Sequence, residues 1–303
     1  MNENETKKSK EDAKEEAFLY DLYIVPEWRE AFDSIVDEEV KLPEEGKFLD
    51  AGCGTGGYAI DLAIRGGKKV EVIGLDASPE RLALARGKAE IKKLQNVTFE
   101  EGSLSQRFPA PMMDDEFDLV IGDATMMPAS EIGPSLEELA RVAKKGATVA
   151  LKLTTRGSFD ELFSIYWEAL YNLNIVQYTP QLEDLITERL TVSESEGLAS
   201  RAGLKQVRSV TRKERFDYPD AGGFFEAPLI RKFFLDEWLA VLPDEETRSR
   251  VQEQMAAIIE RDRQHLEDEP EIISDELKAV YAYERQKPGF DVSIKATVVI
   301  GLK

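Results

Sequence analysis

Phe48 to Ala63 reads FLDAGCGTGGYAIDLA, an apolar run ending at Asp50 and followed by Gly52, Gly54 and Gly56 at alternate positions. Glycines so spaced let a backbone pass close to a ligand and take dihedral angles closed to other residues. The helix predicted behind them begins with free N–H groups, which suit an anion such as a carboxylate. The charge of Asp50, just ahead of the turn, suits a cationic group and suits a pyrophosphate poorly. The loop therefore asks for a ligand that carries both signs.

S-adenosylmethionine has that composition: a carboxylate, an ammonium and a sulfonium. The glycines alone do not decide, because Gly52, Gly54 and Gly57 also satisfy the G-x-G-x-x-G spacing of a dinucleotide site. Asp76 ends VIGLD, 20 positions after Gly56. An acidic residue there can accept hydrogen bonds from both hydroxyls of a ribose, in either kind of ligand. Asp123 ends FDLVIGD and is a candidate to orient an acceptor or meet an ammonium. His265, the single histidine, lies in the charged stretch ERDRQHLEDE and is the other catalytic candidate. Arg156 follows the fifth apolar run, and Tyr20, Tyr23 and Trp28 precede the first. Those four are candidate substrate contacts. Cys53 reads as a small loop residue.

Alternating apolar runs and amphipathic stretches must position these groups. KFLDA, VEVIGLD, VTFEEG, FDLVIGD and ATVALKLTT alternate with helical stretches such as SPERLALARGKAEIKKL, where Ser78 and Pro79 mark a helix start. That alternation predicts a parallel sheet covered on both faces. Residues 1–45 read as a charged, mobile tail to about residue 16 and then two short helices, broken at Pro26, that cover the body. Residues 46–303 read as the core, with helical insertions at about 158–190 and 216–288.

Composition narrows the partners. The 303 residues carry 59 acidic and 39 basic side chains, a formal charge of −20, and 42% are hydrophobic. So negative a surface repels phosphate backbones and anionic headgroups, which argues against nucleic acid and membrane. One cysteine and one histidine exclude an internal disulfide and leave no His/Cys zinc site, so no metal is expected. The polar N-terminus lacks the apolar stretch of a signal peptide, and no window approaches the ~18 apolar residues of a membrane helix. A cytoplasmic protein is expected.

From about Phe48 to Thr154 the chain resembles the class I, Rossmann-like S-adenosylmethionine-dependent methyltransferases. The glycine-rich strand–turn–helix, the Asp76 strand end, FDLVIGD and ELARVAKKGATVAL occur in the family's order, and ATVVIGLK resembles its antiparallel last strand. The resemblance implies a seven-stranded, mostly parallel sheet with helices on both faces. The two insertions leave the sheet at its carboxyl edge and are rich in aromatics such as Phe163, Trp167, Phe225 and Trp238, which suits a helical lid over a small-molecule acceptor. The resemblance places Asp50, Ala51, Gly52, Cys53, Thr55 and Gly56 around the methionine moiety and Asp76 and Ala77 at the ribose and adenine edge. Many members have an acidic residue after the third strand; here Ser103 and Leu104 stand there instead, with Glu101 nearby. DATMMP is not the D/N-P-P-Y motif of enzymes acting on planar amino groups. Two rivals remain: a nicotinamide-dependent oxidoreductase, marked by a Tyr-x-x-x-Lys or histidine proton donor, and a methyltransferase-like protein that binds without catalysis.

Overall fold

The structure, a computed structural model, describes residues 3–109, 112–268 and 288–303. The chain opens with α1 (Glu3–Leu19), a π-helical segment (Tyr20–Arg29) and α2 (Glu30–Glu39). The break expected at Pro26 does not occur. Proline lacks an N–H and its ring crowds the carbonyl one α-turn back, but the wider turn moves that carbonyl away. Accordingly the Glu30 N–H reaches Val25 O, five residues back. The stretch expected as a mobile tail is helical from Glu3, in keeping with its Glu, Lys and Ala content. Tyr20, Ile24, Trp28, Phe32 and Ile35 recur on one buried face.

The core elements follow as β1 (Gly46–Ala51), α3 (Gly57–Gly66), β2 (Val70–Asp76), α4 (Pro79–Ile91), β3 (Val97–Glu101), β4 (Phe117–Asp123), α5 (Ala129–Val142) and β5 (Ala143–Thr155). Beyond them come α6 (Asp160–Asn172), α7 (Thr179–Glu188), α8 (Val192–Arg201), β6 (Lys205–Tyr218), α9 (Ala221–Glu226), α10 (Pro228–Phe233), α11 (Leu235–Leu239), α12 (Glu245–Asp268) and β7 (Phe290–Leu302). The strands form one seven-stranded sheet in the order β3-β2-β1-β4-β5-β7-β6. The pairs from β3 to β5 are parallel, and β7 runs antiparallel to β5 from Thr148↔Leu302 to Thr155↔Lys295. Strand order reverses between β1 and β4, and such a switch point opens a crevice at the carboxyl ends of the strands. Leu49, Val120, Leu139, Val149 and Leu151 centre the core beneath it.

The described residues fall into two compact units. The first lies within Met1–Arg156, Glu188–Lys213 and Lys295–Lys303; the second within Gly157–Thr187 and Glu214–Ile294. The expected insertions fall largely in the second unit, and residues 269–287 lie outside the described residues. That unit has an aromatic centre of its own. The rings of Phe159 and Trp238 meet at 4.9 Å, Phe234 stacks on Trp238 at 5.3 Å, and Tyr166 donates to the Trp238 carbonyl. No helix among the described residues is long and apolar enough to cross a membrane.

Candidate functional site

The turn after β1 needs its glycines for two reasons. Gly52, Gly54 and Gly56 have φ of +76°, +58° and +76°, the left-handed region. Each is also closely approached. A Cβ on Gly52 would lie 2.8 Å from Asp123 O, one on Gly54 2.6 Å from Arg29 Nη1, and one on Gly56 2.6 Å from Ala85 Cβ. Gly57 differs: a Cβ there would meet only Val25 at 3.8 Å. The close helix–strand packing for which a dinucleotide fingerprint keeps its third glycine is therefore not in use here.

Backbone bonds fix the turn against β2. Gly52 N and Cys53 N both donate to Leu75 O, at 2.7 and 2.8 Å. Asp76 Oδ2 accepts from Gly54 N at 2.8 Å while its Oδ1 accepts from Ser78 N at 2.9 Å. Each carboxylate oxygen keeps a second lone pair, so these bonds leave Asp76 able to accept two hydroxyls. Thr55 and Lys88 meet on Asp21, which ties the turn to the N-terminal helical segment.

A cleft of about 250 Å³ opens at this edge. Of the residues expected to hold a cofactor, it brings together Gly52, Asp76, Ala77, Ser103, Leu104 and Asp123. Ala51, Cys53, Thr55 and Gly56 support the turn from behind and do not line the cleft. Burial drives the Cys53 thiol well up from its ordinary range, which leaves it no nucleophile. Of the expected substrate contacts, Tyr20 lines the cleft. Trp28 is fully buried, and its indole N–H donates to Thr125 Oγ1 at 2.9 Å. Tyr23 is half-buried and does not line the cleft. Arg156 turns to the Arg189 carbonyl, and His265 is exposed on α12 in the second unit. A Tyr-x-x-x-Lys spacing occurs at Tyr283 and Lys287, outside the described residues.

Sequence reasoning missed Arg29, Arg81, Gly102, Thr125, Met126, Met127 and Glu131 in the lining. The place of Thr125 to Met127, directly after a strand end at the switch point, could have pointed to them. Arg29 offered no signal, being a lone cation beside Trp28 on a mostly apolar face. The Arg81 guanidinium lies 3.9 Å from the Tyr20 ring centroid, a cation–π contact at the cleft wall.

The floor of the cleft is ionic. Arg29 is 4% exposed; its Nη1 donates to Tyr20 Oη at 2.9 Å. Its Nη2 sits 3.0 Å from Asp123 Oδ2 without the alignment of a hydrogen bond. The same Oδ2 lies 3.3 Å from Lys152 Nζ, and Lys152 also pairs with Asp33 of α2 at 2.7 Å. Burial works to raise the Asp123 pKa, but Arg29, Lys152 and the bonds from Thr125 hold it at about 2. Asp50, below the turn, is pushed up to about 6 by burial, against the pull of Lys152 and Arg29. Neither of its oxygens has a hydrogen-bond donor among the described residues. Three carboxylates thus share two cations, and Asp50 is the one left over.

The fold is a Rossmann-like α/β sheet, and residues 42–173 match the family model of the methyltransferase domain. The demethylmenaquinone methyltransferase of Shouchella clausii is 30% identical over 128 residues, 41% of this chain and 53% of that protein. The 2-heptyl-1-hydroxyquinolin-4(1H)-one methyltransferase of Mycobacteroides abscessus is 36% identical over 129 residues, 40% of this chain and 54% of that protein. The chain thus spans about half the length of these curated relatives. Among solved structures, phosphoethanolamine N-methyltransferase 2 of Haemonchus contortus, in complex with phosphomonomethylethanolamine and S-adenosylhomocysteine, is similar with a TM-score of 0.52. It is 15% identical, and the match covers 95% of this chain and 57% of that one, a likeness of fold.

Proposed function

We propose that the chain is an S-adenosylmethionine-dependent methyltransferase acting on a small-molecule acceptor. The observation that carries this is one cleft lined by two carboxylates, a buried cation and the glycine turn: Asp76, Asp123, Arg29 and Gly52. In this reading Asp76 accepts the ribose hydroxyls, while Ala77, Ser103 and Leu104 border the adenine. The cofactor's carboxylate meets the Gly52 backbone and Arg29, and its ammonium meets Asp123. Asp50 adds negative charge beneath the turn; Ala51, Cys53, Thr55 and Gly56 shape it. When bound, the cofactor supplies an electrophilic methyl group, and the protein must chiefly align the acceptor and exclude water. Asp123, held at about 2 by two cations, serves as a fixed charge and is a poor base at neutral pH. The relatives support a small-molecule acceptor through their names.

Thermal shift with S-adenosylmethionine, S-adenosylhomocysteine and NAD side by side tests the reading. Stabilisation by the two sulfur ligands and none by NAD is expected; stabilisation by NAD alone would sink it. Cofactor binding without methyl transfer to any of a panel of quinone and quinolone acceptors would favour a non-catalytic binding protein. The lid expected of the helical insertions stays part of the reading and rests on their aromatic content. Hydrogen exchange should slow in both insertions when cofactor product and acceptor are bound together. Protection confined to Asp50–Tyr58 would remove the lid.

A further inference from the structure

Lys152 is wholly buried toward the carboxyl end of β5, at a position where a sheet covered on both faces ordinarily carries an apolar side chain. It stands directly beside Asp123 in the parallel β4–β5 register. Its ammonium faces Asp33 from α2 at 2.7 Å, Asp123 at 3.3 Å and the Tyr58 ring of α3 at 5.0 Å, with Asp50 and Arg29 close enough to act through charge. Asp123 Oδ2 is therefore shared by two cations, of which Arg29 alone lines the cleft. The contact with Arg29 lacks hydrogen-bond alignment, so that guanidinium has a donor to spare.

We propose that Lys152 is a positioning residue for the cofactor site: it is the standing counter-ion of Asp123, and it frees Arg29 to engage a ligand carboxylate. The reasoning is that a buried charge stripped of its partner is strongly penalised. With Lys152 in place, Arg29 can turn to an incoming carboxylate and Asp123 stays paired. Without it, Arg29 is the sole cation for Asp123 and is retained there. The inference rests on the cofactor reading above and adds to it a residue that never touches the ligand.

The test compares two ligands by calorimetry: S-adenosylhomocysteine, which has the amino-acid carboxylate, and 5′-methylthioadenosine, which lacks it. Lys152→Met should weaken the first about tenfold, roughly 1.4 kcal/mol, and leave the second nearly unchanged. Lys152→Arg keeps the charge and should restore the wild-type ratio. If Lys152→Met fails to fold, Lys152→Met with Asp33→Asn removes both partners, a change that folds tolerate better than removing one. The same loss of discrimination is expected of that double variant. Equal weakening of both ligands would overturn the role of Lys152 and leave the cofactor reading standing. Failure of the wild type to bind either ligand would instead bring down the cofactor reading itself.

Discussion

The rim of the cleft is held by backbone N–H groups of one strand-end turn bonded to the end of the neighbouring strand, whereas its floor is held by charges drawn from distant segments. At the rim, Gly52, Cys53 and Gly54 are fastened to Leu75 and Asp76 by short N–H bonds. At the floor, Arg29, Asp33, Asp50, Asp123 and Lys152 come from the π-helical segment, α2, β1, β4 and β5. A floor of this kind stores electrostatic energy, and one unpartnered carboxylate makes it respond to protons.

The largest effect should follow from breaking the floor. Asp123→Ala leaves Arg29 and Lys152 buried with one anion fewer and should cost about 3–5 kcal/mol in urea unfolding. A loss under about 1 kcal/mol would mean the five groups do not act as a unit. The rim comes next. Asp76→Ala removes charge-assisted acceptors worth on the order of 1.5–3 kcal/mol each. It should weaken S-adenosylhomocysteine more than its 2′,3′-dideoxy analogue, and equal losses would assign Asp76 to the turn alone.

Asp50 separates rim from floor by sign. Its pKa rises from 3.8 to about 6 on folding, so the folded state binds the extra proton and the ionised group opposes folding above about pH 6. Asp50→Asn should then stabilise by roughly 1–3 kcal/mol at pH 8, the upper figure corresponding to the whole rise. The gain should fade as pH drops from 6 toward 4. Asp123, whose pKa is lowered, acts in the opposite sense: its contribution is complete above its ordinary value of 3.8 and is lost as pH falls toward 2. A gain from Asp50→Asn that does not change with pH would show that folding does not shift the Asp50 pKa.

The smallest expected effect lies where rim and floor touch. Gly54→Ala puts a Cβ against Arg29 Nη1 and Tyr20 at a φ of +58°. Affinity for S-adenosylhomocysteine should fall about tenfold, roughly 1.4 kcal/mol. In an Arg29→Ala background the drop should shrink, because one of the two obstructing groups is gone. Full additivity of the two changes would disconnect the turn from the floor.

Much of the fold was legible because its signals are local. Asp50, the glycines, Ser78 with Pro79, and the apolar runs of the first five strands each announce themselves within a few residues. Pro26 misled for the same reason: read locally it ends a helix, and only the packed stripe of Ile24, Trp28 and Phe32 carries the helix through it as a wider turn. The capping box of Thr191 and Glu194 was readable in principle and starts α8.

The sequence by itself determined the order of strands and helices, the glycine turn and the two strand-end aspartates, because backbone preference and apolar periodicity act over a few neighbours. Only the tertiary structure decided which charges meet. Arg29 and Asp123 are 94 residues apart, and Asp33 and Lys152 are 119 apart. Nothing in the local surroundings of Arg29 or Asp33 distinguishes them from surface ion-pair residues. Their partnership exists because the N-terminal helices lie across the carboxyl ends of β4 and β5, where burial makes each charge depend on the others.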